Sequence, residues 1–345
     1  MIAPPNLYHM LAYAFRPLAE EGYSSLQTED FDHVHDLFAA ILARGIAMQV
    51  KRGLNRDYRL VTESEGYVRG KIDLSETIRH QSTRTKRLVC QYDLFSEDTV
   101  LNRILKTTVL LLLRHGDVRE ERRSALKKLM VYFESVEPLD PRRIEWNSLV
   151  FHRHTTTYRM LMNVCQLVLT GLLVTNREGQ ARLTKFLKDS AMHRLYELFV
   201  LNYFRVEFPH FSASASCVDW DTDEAGRKSL PMMQTDITLK YGPRSLIIDT
   251  KYYSHVFQTN TQFGSTSLIS GNLYQIFTYV KNYDRQRTDM VSGLLLYART
   301  DDPLSPDLDC RIGGNRFCVR TLDLSADWVE ITQQLGEVAS MLEST

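Results

Sequence analysis

A charged residue at the end of a continuous apolar run constrains this chain more than any other feature. Leu246-Ile247-Ile248 is followed at once by Asp249, Thr250 and Lys251. Such a run is typical of a strand covered on both faces. A carboxylate that ends it needs a partner, because an uncompensated buried charge costs several kcal/mol. Upstream, residues 235–240 read as a second strand, and Tyr241-Gly242-Pro243-Arg244 is a strong turn signal between it and the strand that holds the apolar run, 245–253. Residues two apart in a strand share a face, so Asp249 and Lys251 point the same way. A hairpin closed at Gly242-Pro243 would bring Asp236 up to Asp249.

Three readings of that convergence compete. Asp249 and Lys251 can be a solvent-facing pair of little consequence, or a structural salt bridge. They can also belong to a hard-cation site, with two carboxylates for Mg²⁺ and Lys251 orienting a water or steadying a phosphorane-like charge. The flanking segments bear on the choice. Met192, Leu195, Tyr196, Phe199, Val200 and Tyr203 fall at helical spacing. Glu197 lies at the margin of that stripe, where it can turn an acid into the same site or stand as an ordinary surface residue. Residues 272–283 form another helical pattern, on which Gln275 and Tyr279 are four apart and share a face. Gln275 can orient an attacking water, hold a phosphate, or be a plain amide at a helix edge. Between the strands and this helix, residues 254–271 are polar and rich in Gly, Ser and Thr, and read as a mobile loop. Further strands at 293–297 and 316–322 complete an α/β pattern, helices flanking a mixed sheet.

At 345 residues the chain exceeds what one core usually serves. Two domains are expected, 1–155 and 156–345, divided within the polar run HRHTTT. In the first, residues 98–115 predict a buried helix with Asp98 as its cap, and 58–63 and 66–74 predict strands around a turn; a second helical region begins over 155–174. Charge is uneven: residues 51–159 hold 22 Lys or Arg against 15 Asp or Glu, and residues 299–345 hold 4 Arg against 9 acids. The basic stretch reads as solvated helix faces, or as contact with phosphate or an acidic partner. The total of 42 basic and 42 acidic residues excludes nucleic-acid binding by bulk charge but leaves room for a local groove. No signal-peptide pattern opens the chain, and no apolar stretch reaches the ~20 residues a membrane span needs. Five scattered cysteines without a CxxC pair predict a reduced, cytoplasmic protein. His33-x-His35 and His152-x-His154 lack a third zinc ligand, and no nucleophile elbow is present.

The order of these features, a helix with an acid, an Asp strand, a D-x-K strand and a Gln-bearing helix, resembles the PD-(D/E)xK nuclease superfamily. Asp236, Asp249 and Lys251 match its central motif, with Thr235 where Pro is common, and Gln275 with Tyr279 matches its accessory QxxxY motif. The resemblance implies a restriction-endonuclease-like core and Mg²⁺-dependent hydrolysis of phosphodiesters. It makes Asp236, Asp249, Lys251 and Gln275 catalytic, and gives the ion to Asp236, Asp249 and Glu197. Over the whole chain, NLYHMLAYAF (6–15), GKIDLSETI (70–78) and YDLFSEDTVLNRILKTTV (92–109) resemble the McrC family, the nuclease subunits of McrBC restriction systems. That resemblance implies an N-terminal α+β assembly domain that docks on a hexameric AAA+ GTPase, McrB, and stimulates it. The DNA expected is double-stranded and carries methylated cytosine. GTP is expected on the partner, since 66–72, the nearest approach to a P-loop here, has the wrong spacing and no Ser or Thr. Two alternatives remain: a non-cleaving GTPase activator and DNA clamp on a degenerate nuclease fold, and a nuclease that acts alone.

Overall fold

The computed structural model describes residues 2–19, 23, 26, 29, 31, 33–79, 87–151, 155–178, 189–252, 257–260, 265–299 and 306–343. Two units divide the chain: one is Met1–Val34 together with Leu173–Thr345, the other is His35–Leu172. The expected cut at 155 therefore moves. The N-terminal 34 residues belong with the C-terminal unit, and the second crossing falls inside a continuous helix rather than at the polar run before it.

The reason for the first change lies in α1 (Pro4–Ala14), which starts with prolines in its first turn, where a missing N–H costs nothing. Asn6 on this helix is buried, and its Nδ2 donates to the carbonyls of Leu324 at 3.0 Å and Ala326 at 2.8 Å. His9 stacks on Trp328 with ring centroids 4.2 Å apart, and the Tyr13 hydroxyl donates to Glu207 at 2.6 Å. The NLYHMLAYAF segment is thus a strap across the C-terminal unit.

The smaller unit opens with α2 (Val34–Arg52), which buries Leu37, Phe38, Ile41, Leu42 and Ile46. A three-stranded antiparallel sheet follows, with β1 (Asp57–Glu65) and β2 (Lys71–Ile72) on either side of β3 (Leu88–Ser96). The strand expected over 66–74 shrinks to β2, because Asp73 caps α3 (Leu74–Arg79) by accepting the Glu76 N–H at 3.0 Å. The cap of α4 (Val100–His115) is Thr99, which accepts from the Asn102 N–H at 3.4 Å, and not Asp98. Asp98 is held elsewhere, by Arg103 Nε at 2.7 Å and the Glu137 N–H at 2.9 Å. Asn102 is fully buried and satisfied: it donates to the carbonyls of Asn55 and Glu97 and accepts from the Tyr158 hydroxyl. Short α5 (Glu120–Met130) and the long α6 (Thr156–Glu178) complete the helices up to the second unit.

In the larger unit α7 (Asp189–Glu207) buries the expected stripe, Met192, Leu195, Tyr196, Phe199, Val200 and Tyr203. After it come β4 (Ser212–Ser214), β5 (Cys217–Val218), α8 (Glu224–Ser229), β6 (Met233–Gln234), β7 (Ile237–Tyr241) and β8 (Arg244–Lys251). Then follow β9 (Phe257–Asn260), β10 (Ser265–Leu268), α9 (Ser270–Tyr283), β11 (Val291–Ala298), β12 (Leu308–Ile312), β13 (Asn315–Leu322) and α10 (Trp328–Glu343). Six strands form one sheet in the order β12-β13-β11-β8-β7-β4. β8, β11 and β13 run parallel, while β12, β7 and β4 are antiparallel to their neighbours, so the sheet is mixed, as the α/β reading expects. The polar stretch expected as a loop contains a two-stranded ribbon instead, Ser265 facing Asn260 and Leu268 facing Phe257. Threonine has good strand propensity, which the polarity of the stretch concealed; residues 253–256 and 261–264 lie outside the described ones. Among the described residues no helix is long and apolar enough to cross a membrane.

Candidate active site

The site is built on the β7–β8 hairpin. Gly242 takes φ +57°, the left-handed value that a two-residue hairpin turn needs at its first central position. The register pairs Tyr241 with Arg244 and Ile237 with Ile248, so one step further Asp236 stands opposite Asp249. All of β8 from Ser245 to Lys251 is buried, which explains why its sequence is apolar until it must be charged. Ile247, Asp249 and Lys251 share one face. Ile247 packs there with Ile276 and Val280 of α9 and with Leu295, Tyr297 and Phe317 of the neighbouring strands.

Gly293 lets α9 come down onto this face. A Cβ at that position would sit 2.9 Å from Ile276 Cγ1 and 2.9 Å from Val280 Cγ2. At this close approach the Gln275 side chain reaches the end of β8, where its Oε1 accepts from Lys251 Nζ at 3.0 Å. A lysine can only donate, so the amide is forced to present its oxygen to Lys251. The Gln275 Nε2 then donates to the Tyr279 hydroxyl at 3.0 Å. The QxxxY spacing therefore works as a two-step brace for the lysine.

Asp249 is the group under most strain. It is 0% exposed, and Lys251 Nζ forms an ion pair with its Oδ2 at 2.7 Å. Burial pushes its pKa up to about 7; Lys251 pulls it down, and the charges of Asp236 and Glu197 add to the rise. Asp236 is oriented by Thr250, whose N–H and hydroxyl both donate to Oδ2, at 2.8 and 2.9 Å. Thr235 ties the start of β7 to Ser216: its N–H donates to the Ser216 carbonyl at 2.9 Å, and its Oγ1 accepts the Ser216 N–H at 3.1 Å.

Glu197 belongs to the same electrostatic cluster. Burial raises its pKa, the Asp236 charge raises it further, and Arg194 and Lys251 oppose the rise. All the expected residues, Glu197, Asp236, Asp249, Lys251, Gln275 and Tyr279, are thus assembled around one strand end. His193 is an addition that sequence reasoning missed. It stands one turn before Glu197 on α7, and its Nδ1 accepts the Tyr252 N–H at 3.4 Å. Burial lowers its pKa, Asp236 raises it and Lys251 lowers it. An i, i+4 pairing with Glu197 was the available signal, but a lone His on a helix has no meaning until the helix is set against a strand.

Among the described residues no three His, Cys, Asp or Glu are grouped so as to hold a metal ion by themselves. Mg²⁺ does not require three, since it commonly takes one or two carboxylates and keeps waters or phosphate oxygens for the rest. Two facing carboxylates, one of them wholly buried, are a donor set that suits such an ion. The His33-x-His35 pair is used otherwise, His35 Nδ1 accepting the Asp117 N–H at 3.0 Å; His152 and His154 lie outside the described residues. All five cysteines are free thiols.

Known proteins resemble the chain over most of its length. The family described as McrBC 5-methylcytosine restriction system component matches residues 5–298. The type IV methyl-directed restriction enzyme EcoKMcrBC of Escherichia coli (strain K12) is 28% identical over 341 residues, which cover 96% of this chain and 96% of the relative. A half-complex from the tetradecameric assembly of Thermococcus gammatolerans McrB AAA+ hexamers with bound McrC covers 98% of this chain and 76% of its own, with 18% identity and a TM-score of 0.50, a likeness of fold. The resemblance read from the separated sequence motifs holds at the level of the family: this chain belongs to the McrBC 5-methylcytosine restriction system components.

Proposed function

We propose that this chain is the McrC-type, Mg²⁺-dependent DNA endonuclease subunit of a methylcytosine-directed restriction complex, with a PD-(D/E)xK core. Its cutting is driven by a hexameric AAA+ GTPase of the McrB type, which binds the GTP and which this chain stimulates. One observation carries the reading: two carboxylates, the wholly buried Asp249 and Asp236, stand opposite each other at the strand end, with Lys251 Nζ 2.7 Å from Asp249 as counter-charge. One ammonium balances only one of two adjoining ionised carboxylates, so a further cation compensates the pair.

In this reading Asp236 and Asp249 hold the ion, and Glu197, expected as a third ligand but not grouped with them closely enough to be one, adds negative charge nearby. When bound, the ion supplies Lewis-acid polarisation of a phosphodiester and an acidified water. The protein's own part is positioning and charge. Thr250 fixes the Asp236 carboxylate. Lys251, braced by Gln275 and through it by Tyr279, places an ammonium where charge develops on the phosphate, or orients the water that attacks it.

The test combines the purified chain, the partner GTPase, GTP, Mg²⁺ and methylated duplex DNA. Asp249→Ala is expected to abolish cutting, by a factor of about 10³ or more, while GTPase stimulation stays. Cutting by that variant at the parent rate would remove the site. Uncut DNA with the parent chain would favour the clamp reading, and cutting without the GTPase would favour a nuclease that acts alone.

A further inference from the structure

We propose that His193 is a positioning residue that fixes the Lys251 end of β8 to the helix carrying Glu197. The inference rests on the nuclease reading above. Two elements that are far apart in sequence must keep register for the site to exist: α7, which carries Glu197, and β8, which carries Asp249 and Lys251. The β8–β11 ladder ends at Lys251 paired with Tyr297, so Tyr252 is already beyond the strand. At that point, next to the lysine, the Tyr252 N–H donates to His193 Nδ1 at 3.4 Å. His193 is one helical turn from Glu197, on the same face of α7. One side chain thus links the backbone beside the lysine to the helix turn beside the acid.

The hydrogen bond also sets the state of the ring. A backbone N–H can only donate, so Nδ1 must carry a lone pair, and the proton of the neutral ring sits on Nε2. A neutral ring suits this place, where a further cation beside Lys251 would weaken its pairing with the carboxylates. Burial of the ring acts in the same direction.

The consequences can be read in two independent ways. With ¹⁵N-labelled histidine in the full chain, long-range ¹H–¹⁵N correlations should show His193 neutral and protonated at Nε2, its signal identified by loss in His193→Asn. This reading needs neither DNA nor cutting. For cleavage in the full complex under single turnover, His193→Leu removes the acceptor and keeps the bulk, and the rate is expected to fall about 10- to 100-fold, as a misplacement of about 1 Å does. KM for DNA should change less than threefold. His193→Asn puts Oδ1 near the place of Nδ1 and should restore the rate to within about fivefold of the parent. Nδ1 protonation, a Leu variant as fast as the parent, or an Asn variant as slow as the Leu variant would each overturn the proposal. Asp249→Ala, run alongside, separates the two levels. If it is inactive while His193→Leu is not, only the role of His193 fails. If it cuts normally, the site itself fails, and the role of His193 with it.

Discussion

At the scale of single residues, the cluster is organised by what burial does to Asp249. Its proton is held in the fold up to about pH 7, against 3.8 for an ordinary aspartate. Between those two values the unfolded chain binds fewer protons than the folded one, so the ion-free fold loses stability as pH rises through this window. A divalent cation reverses the sign, because it needs the carboxylate form and must displace that proton. Mg²⁺ affinity should therefore rise about tenfold per unit below pH 7 and level off above it. Titration calorimetry in buffers of different ionisation enthalpy should find close to one proton released at pH 6 and almost none at 8.5. An affinity that does not change with pH would contradict the assignment of Asp249. The identity of this residue was legible in the sequence because Leu246-Ile247-Ile248 announced its burial; its setting was not. That depends on which groups of α7 and α9 arrive around it, as His193 and Gln275 do through side-chain contacts that no local pattern states.

At the scale of elements, the hairpin and the helix over it differ in how openly they were written. β7 and β8 were legible to within two residues at each end, since strand period and a Gly-Pro turn are both local signals. The start of α4 was misplaced by one residue, because Asp98 and Thr99 are both good caps and the choice between them rests on Arg103 and the distant Glu137 N–H claiming Asp98. The height of α9 above the sheet was not legible at all. It depends on Gly293, a residue of β11 that strand propensity alone would disfavour. Gly293→Ala forces α9 outward against Ile276 and Val280, which should cost about 1–3 kcal/mol. It should also lengthen the Gln275–Lys251 bond and slow cutting about tenfold. Pairing it with Val280→Ala, which vacates one of the two contacts, should recover part of both losses. Thermal melting and single-turnover cleavage on the same samples check this. A Gly293→Ala protein with parent stability would mean the helix has slack there.

At the scale of the whole molecule, the larger unit is discontinuous, and this was the main departure from the expected division. The basis for it is long-range by nature: Asn6 finds its acceptors more than 300 residues away, at Leu324 and Ala326. Asn6→Ala leaves both carbonyls without that donor and should destabilise the larger unit by about 1–3 kcal/mol. Chemical denaturation followed by the fluorescence of Trp328, on which His9 stacks, would report it locally. A piece beginning at residue 156 should melt at a lower temperature than the full chain, for lack of α1. Equal melting temperatures would show the strap to be ornamental. The strap also sets an order of events during synthesis. The smaller unit is complete once residue 172 has left the ribosome, but α1 has to wait for the loop before α10, more than 300 residues further along the chain. A nascent chain therefore carries Asp236, Asp249 and Lys251 in a support that stays unfinished until that loop has been made.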